Sequence, residues 1–125
     1  MVVPAPVQYQ IAQKAPLVAY VPTRLAIGWS YERWTHQGTL RIFFANKAGR
    51  EIVFVASRFK GNCRAGMAKS FQLAGNKVYW SQTATAQQAW RCVNGVRLVA
   101  ASSLRPDQFA DVGLGRIAAS GHRIR

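Results

Sequence analysis

The sequence predicts an α+β domain: an antiparallel sheet of five to seven strands in hairpins, with one C-terminal helix packed on one face. Three observations favour this class. Short runs of alternating apolar and polar residues recur with turn residues between them, which is typical of antiparallel strands. Asn94-Gly95 separates two such runs, and this dipeptide is the strongest local signal for a hairpin. After residue 102 the spacing of apolar residues lengthens to that of a helix.

The elements follow one another from residue 16, and residues 16–125 are expected to form a single domain. Residues 1–15 are rich in Pro, Gln and Ala, and we expect them to be a flexible leader or spacer. The runs predicted to form strands are LVAYV (17–21), WSYERWTH (29–36), TLRIFFA (39–45), REIVFVA (50–56), FQLAG (71–75), KVYWSQT (77–83), QQAWRCV (87–93) and VRLVAAS (96–102). FQLAG and KVYWSQT form either two short strands around a Gly75-Asn76 break or one bent strand.

A helix is predicted over residues 102–121. Ser102 or Ser103 serves as its N-cap, and Gly121 follows its last turn. Gly113 and Gly115 would each cost about 1 kcal/mol relative to Ala in a helix interior, so we expect packing on the sheet to stabilise this helix. Its remaining signals are Pro106 and Asp107 in the first turn and an apolar stripe of Leu104, Phe109, Val112 and Ile117.

The charge balance is strongly basic. Seventeen Lys and Arg residues face four Asp and Glu residues, which gives a formal net charge of +13. Such an excess raises the affinity for nucleic acid, anionic lipid headgroups or acidic cell-wall polymers. An Arg- and Ala-rich coding bias would produce the same composition, and the sequence leaves both interpretations open.

The sequence contains no motif typical of a catalytic, metal-binding or cofactor-binding site. The four carboxylates (Glu32, Glu51, Asp107 and Asp111) are not spaced as a converging acid and base pair. The two histidines, His36 and His122, have no ligand spacing with the cysteines, so we expect no metal site. Nucleophile-elbow, zinc-protease and phosphate-loop motifs are also missing. No run of eighteen apolar residues occurs, so no membrane span is expected.

The two cysteines, Cys63 and Cys92, allow three interpretations. They can be buried free thiols, one can be a catalytic thiol, or the two can form a disulfide. We favour the disulfide because the connection carrying Cys63 and the strand carrying Cys92 belong to the same local meander. A disulfide predicts an oxidising compartment. We therefore expect an extracytoplasmic protein, secreted or membrane-tethered, whose export signal or anchor is absent from these residues.

An ordered set of short motifs resembles a bacterial domain of uncharacterised function. That domain occurs in secreted proteins, lipoproteins and the extracytoplasmic part of anti-sigma-factor-like membrane proteins. The resemblance covers about residues 20 to 120 and implies an exported, usually tethered domain with no established activity or catalytic residues. This chain departs from the pattern by its cysteines and by Gly113 and Gly115. The matching motifs are Gly28-Trp29, Gly75 with Val78-Tyr79, Trp90 with Gly95, and Leu104 through Ile117-Ala118.

Alternation along the strands predicts a basic, aromatic-bearing face opposite the core. This candidate anionic-ligand face comprises Arg41, Phe43, Lys77, Tyr79, Arg91 and Arg97. The simpler interpretation is that long cationic side chains cover a half-exposed sheet, with aromatics chosen for strand propensity.

We expect a non-catalytic extracytoplasmic sensing, scaffold or binding module of the bacterial cell envelope. Its expected partner is an anionic polymer or an envelope protein. The alternative is a cytosolic nucleic-acid-binding protein that uses the same face. A purely structural dimer that buries Phe43 or Trp34 is a third interpretation, and the oligomeric state stays open.

Overall fold

A seven-stranded antiparallel sheet dominates the structure, a computed structural model that describes residues 2–64, 68–83, 85–103 and 113–124. Its strands are β2 (Trp29–Gln37), β3 (Thr39–Asn46), β4 (Glu51–Arg58), β5 (Lys69–Leu73), β6 (Asn76–Gln82), β7 (Gln87–Val93) and β8 (Val96–Ser102). The strand order is β2-β3-β4-β8-β7-β6-β5. A three-stranded and a four-stranded meander therefore join where β4 pairs with β8.

Four smaller elements complete the described chain. They are helix α1 (Ala5–Lys14), strand β1 (Tyr20–Val21), helix α2 (Leu114–Ala119) and strand β9 (His122–Arg123), with a 3₁₀ turn over Pro16–Val18. Strands β1 and β9 pair as a separate two-stranded sheet. The coarse prediction of an α+β fold built on an antiparallel sheet is confirmed.

The hydrophobic core lies on one face of the large sheet. Alternate residues of β3, β4 and β8 point into it, and the side chains of Ile42, Phe54 and Leu98 are fully buried. Helix α2 packs over β5 to β8 through its buried residues Leu114, Ile117, Ala118 and Ala119. The core side of the sheet thus agrees with the alternation in the sequence.

The first fifteen residues differ from the prediction of a flexible spacer. Residues 5–14 form helix α1, and Val3, Ile11 and Ala15 are buried in the main core cluster. Pro4 precedes the helix and Pro6 lies in its first turn, where a missing N–H costs no intrahelical hydrogen bond. The prolines that suggested an extended spacer are therefore compatible with a helix start.

The C-terminal helix is shorter in its described part than the sequence predicts. Ser102 ends β8, and Gly113 precedes α2 with a left-handed φ of 60°. Gly113 therefore carries no helix-interior penalty. The turn that Ser102 or Ser103 is predicted to cap lies outside the described residues. Gly121 follows the helix as predicted. The predicted positions Leu104, Pro106, Asp107, Phe109, Asp111 and Val112 lie outside the described residues.

Two hairpin turns set the register of the β5–β8 meander. Asn94 and Gly95 both have positive φ and join β7 to β8, which confirms the hairpin predicted there. Ala74 and Gly75 join β5 to β6 with the same signs of φ, so this turn lies one residue earlier than the predicted Gly75-Asn76 break.

Candidate functional site

The sheet face away from the helices carries five of the six residues predicted for the ligand face. Cross-strand pairs share a face, and one row of pairs runs Arg41, Val55, Val99, Trp90 and Tyr79 across five strands. Strand alternation places Phe43 and Arg97 on the same side. We call this surface the open face; its residues include Arg41, Phe43, Val53, Val55, Lys77, Tyr79, Ser81, Gln88, Trp90, Arg97, Val99 and Ala101.

Arg91, the sixth predicted residue, lies on the opposite face. The two-residue Asn94-Gly95 turn pairs Arg91 with Leu98, whose side chain belongs to the core. Arg91 donates hydrogen bonds to the carbonyl oxygens of Ala118 and Gly121. Its placement in the ligand face is therefore wrong. The hairpin register contains the signal that would have assigned it correctly.

The exposed cations of the open face are free to meet a ligand. Arg41 and Lys77 are exposed, and among the described residues neither forms an ion pair. The Lys77 ammonium lies 5.8 Å from the centroid of the Tyr79 ring. An exposed cation beside a half-buried aromatic ring suits an anionic ligand that also has a flat or apolar group.

Arg97 is held more rigidly. Its guanidinium carbon lies 4.9 Å from the Trp90 ring centroid and 5.7 Å from the Phe59 ring centroid. Burial lowers the pKa of Arg97 from its ordinary value, and its Nε is buried without a hydrogen-bond partner among the described residues. Two rings therefore flank this cation near the start of β8, the middle strand of the seven-stranded sheet.

A disulfide ties a connecting segment to the open face. Cys63 and Cys92 are bonded with a Cα–Cα distance of 5.9 Å, which confirms the predicted pair. The free-thiol and catalytic-thiol alternatives are therefore wrong. Trp90 Nε1 donates a 2.7 Å hydrogen bond to the carbonyl oxygen of Cys63. Trp90 is only 1% exposed although it lies on the face opposite the helices of the described chain.

At the β2 end of the open face the cation is ion-paired, and this arginine was not among the residues predicted from the sequence. The guanidinium of Arg33 stacks 3.7 Å above the Phe43 ring and approaches Glu32 at 3.3 Å and Glu51 at 3.7 Å. A shared hydrogen bond with Glu51 raises the pKa of Glu32. A β-bulge between Tyr31 and Arg33 places Arg33 on this face.

A shallow groove of about 450 Å³ crosses the open face beside the ion pairs of Arg33. Phe43, Val53 and Ala101 supply its apolar surface, while Ser81 and Gln88 supply polar groups. These five residues form one cross-strand row over β3, β4, β8, β7 and β6. The groove therefore offers an apolar surface next to the row of the open face that contains Arg41.

In comparisons with known proteins, no family model, curated protein or solved structure matches the chain. The resemblance to a bacterial domain therefore stays a prediction. Within the described ranges, no helix has the length and apolar character needed to cross a membrane. The same residues bring together no cluster of three or more potential metal ligands.

Proposed function

We propose that this protein is a non-catalytic extracytoplasmic binding module whose open face binds an anionic partner, such as an acidic envelope polymer. The observation that carries the proposal is the convergence of Arg41, Arg97 and Lys77 with Phe43 and Tyr79 on one sheet face. Opposite-charge partners for these three cations are absent from the described residues. An anionic ligand would supply the missing countercharge.

The arrangement of the face supports an extended partner. The cations belong to β3, β8 and β6, so a ligand that reaches all three crosses the strands. Arg and Lys bind phosphate or carboxylate groups, and aromatic rings stack on sugars or bases. A charged chain with repeating flat groups fits this spread of contacts better than a compact ion does.

The disulfide supports a location outside the cytoplasm. Structural disulfides persist in oxidising compartments and are rare in the cytosol. A cytosolic nucleic-acid-binding protein using the same face is the alternative, and the Cys63–Cys92 bond weighs against it. Nucleic acid therefore enters the test as a competing ligand.

The test measures binding of poly(glycerol phosphate), heparin and a single-stranded DNA oligonucleotide as a function of NaCl concentration. Replacing Arg41 and Lys77 by Glu is expected to weaken binding of the preferred polymer at least tenfold. It should also reduce the slope of log affinity against log salt by about 1–2, because two phosphate contacts are lost.

The matched control replaces Lys47 and Arg58 by Glu, which changes the net charge equally. Lys47 lies in the β3–β4 turn, and alternation places Arg58 on the helix-covered side of β4. Equal losses in both double variants would show delocalised attraction and overturn the proposal. DNA binding at least tenfold tighter than both other polymers would favour the nucleic-acid alternative instead.

A further inference from the structure

A second candidate site, besides the open face, is a basic cleft on the opposite side of the sheet, at the C-terminal end of α2. We call it the second basic cleft. It has a volume of about 500 Å³, within the usual size range of small-molecule sites. Five separate parts of the chain line it: residues 23–24 after β1, the β5–β6 turn, Arg91 of β7, the end of α2 and His122 of β9. Because these segments are distant in sequence, the cleft is not visible as a motif.

The helix end that forms one wall would ordinarily repel an anion, because helix C-termini carry partial negative charge on free carbonyl oxygens. Here those oxygens are occupied. Arg91 donates to the carbonyls of Ala118 and Gly121, Asn76 Nδ2 donates to that of Ala119, and Thr23 Oγ1 donates to that of Ser120. Four successive carbonyls are thus hydrogen-bonded by donors from other segments.

The charge that remains in the cleft is positive. Arg24, Arg91 and Arg116 line it together with His122, and no Asp or Glu is among its described lining residues. Within the described chain, the exposed side chains of Arg24 and Arg116 form no hydrogen bond or ion pair. Two unpaired guanidinium groups therefore line one cleft, and the carbonyl oxygens of its wall are already hydrogen-bonded to other donors.

We infer that this cleft binds the phosphoryl group of a small molecule, with Arg24 and Arg116 as its direct ligands. Guanidinium groups match the geometry of phosphate oxygens and bind them bidentately. Arg91 acts as a positioning residue that holds the helix end and lends its charge. The volume leaves room for an organic portion beside the phosphoryl group, so glycerol phosphate and inorganic phosphate represent the two sources of the same chemistry.

Isothermal titration calorimetry with glycerol phosphate, inorganic phosphate and acetate tests the inference on the full chain. We expect saturable one-to-one binding of both phosphates, and acetate at equal ionic strength should bind at least tenfold more weakly. Tighter binding of glycerol phosphate supports an organic phosphate ligand, and tighter binding of inorganic phosphate supports the free ion. Either result supports a phosphoryl site, whereas absent saturation up to millimolar concentrations overturns it.

Variants separate this cleft from the general charge and from the open face. Replacing Arg24 and Arg116 by Gln should weaken phosphate binding at least tenfold, and both side chains are exposed, so the fold should survive. The control R50Q/R58Q removes two exposed arginines elsewhere and should change binding less than twofold. The open-face variant R41E/K77E should keep the site. Equal losses in the first two variants would overturn the inference.

A measurement on the unmodified protein guards against a folding defect in the variants. Backbone amide NMR shifts on addition of glycerol phosphate should concentrate at Arg24 and at residues 116–122. Shifts confined to the open face would contradict the site. Because the two sites lie on opposite sides of the sheet, either proposal can fail without the other.

Discussion

At the scale of single residues, Trp90 shows how one side chain can be buried on a face where the described residues form no helix. Its indole packs against Tyr79 at a centroid distance of 5.9 Å, and the Arg97 guanidinium lies 4.9 Å from its ring centroid. The indole N–H donates to the carbonyl of Cys63, which the disulfide anchors to Cys92 two residues along the strand. The covalent bond thus fixes the acceptor that satisfies the buried donor.

Replacing both cysteines by Ser tests the importance of this bond. The two cysteines are 29 residues apart in the sequence. For a loop of this length, the chain-entropy relation gives a stabilisation of the folded state of about 3–4 kcal/mol. We expect the C63S/C92S variant to lose about that much free energy of unfolding in urea. Reductant should produce a comparable loss in the unmodified protein and none in the variant. A loss below about 1 kcal/mol would contradict the structural role assigned to the bond.

At the scale of elements, strand alternation predicted most of the sheet and five residues of the open face. In β2, strict alternation places Tyr31 and Arg33 on one face and Trp34 on the other, and this is wrong. The bulge adds one residue, which puts Tyr31 and Trp34 on the core side and Arg33 on the open side. Period two has no signal for such an insertion. Helix α1 was missed for a different reason: its amphipathic pattern is weak, and only tertiary burial of Ile11 identifies its inner side.

The second basic cleft lay beyond sequence reasoning altogether. Its residues come from segments that meet only after β9 pairs with β1 and α2 docks on the sheet. Arg91 illustrates the difficulty, because its role depends on the carbonyls of a helix 27 residues away in sequence. Spacing rules detect ligands within one element, whereas this cleft depends on how separate elements pack together.

Two glycines around α2 give a matched test of its packing. A Cβ at Gly121 would lie 2.6 Å from Leu98 Cδ1 and 3.3 Å from Phe54 Cζ, and both of these side chains are fully buried. Gly121→Ala should therefore lower the free energy of unfolding by about 1–3 kcal/mol, the usual cost of overpacking. Chemical denaturation of this variant beside Gly115→Ala measures the difference.

Gly115→Ala should behave differently although its Cβ also meets a neighbour, Phe71 Cζ, at 2.7 Å. Phe71 lies on the edge strand β5 and is 38% exposed, so its ring tip can move outward. Alanine also favours a helix over glycine by about 1 kcal/mol. We expect a net change within about 1 kcal/mol of zero. An equal loss in both variants would show that β5 holds Phe71 as firmly as the core holds Leu98.

At the scale of the whole molecule, repulsion among cations is the dominant long-range electrostatic effect. The chain carries a formal net charge of +13. The described residues form only two ion pairs, and both share Arg33. A domain of this length has a radius of gyration of about 14 Å. The screening length is about 30 Å at 10 mM salt and about 8 Å at 150 mM salt, so at low salt the excess cations repel one another across the molecule.

The free energy of unfolding should therefore rise as NaCl increases from 10 to 150 mM, because screening relieves repulsion more in the compact state than in the extended chain. The R50Q/R58Q variant lowers the net charge from +13 to +11. Since the repulsive energy scales with the square of the charge, its rise should be about 70% as large. R24Q/R116Q has the same net charge and should match it. If chloride bound in the second basic cleft caused the rise, R24Q/R116Q alone would abolish it, and a fall with salt would show that attraction dominates.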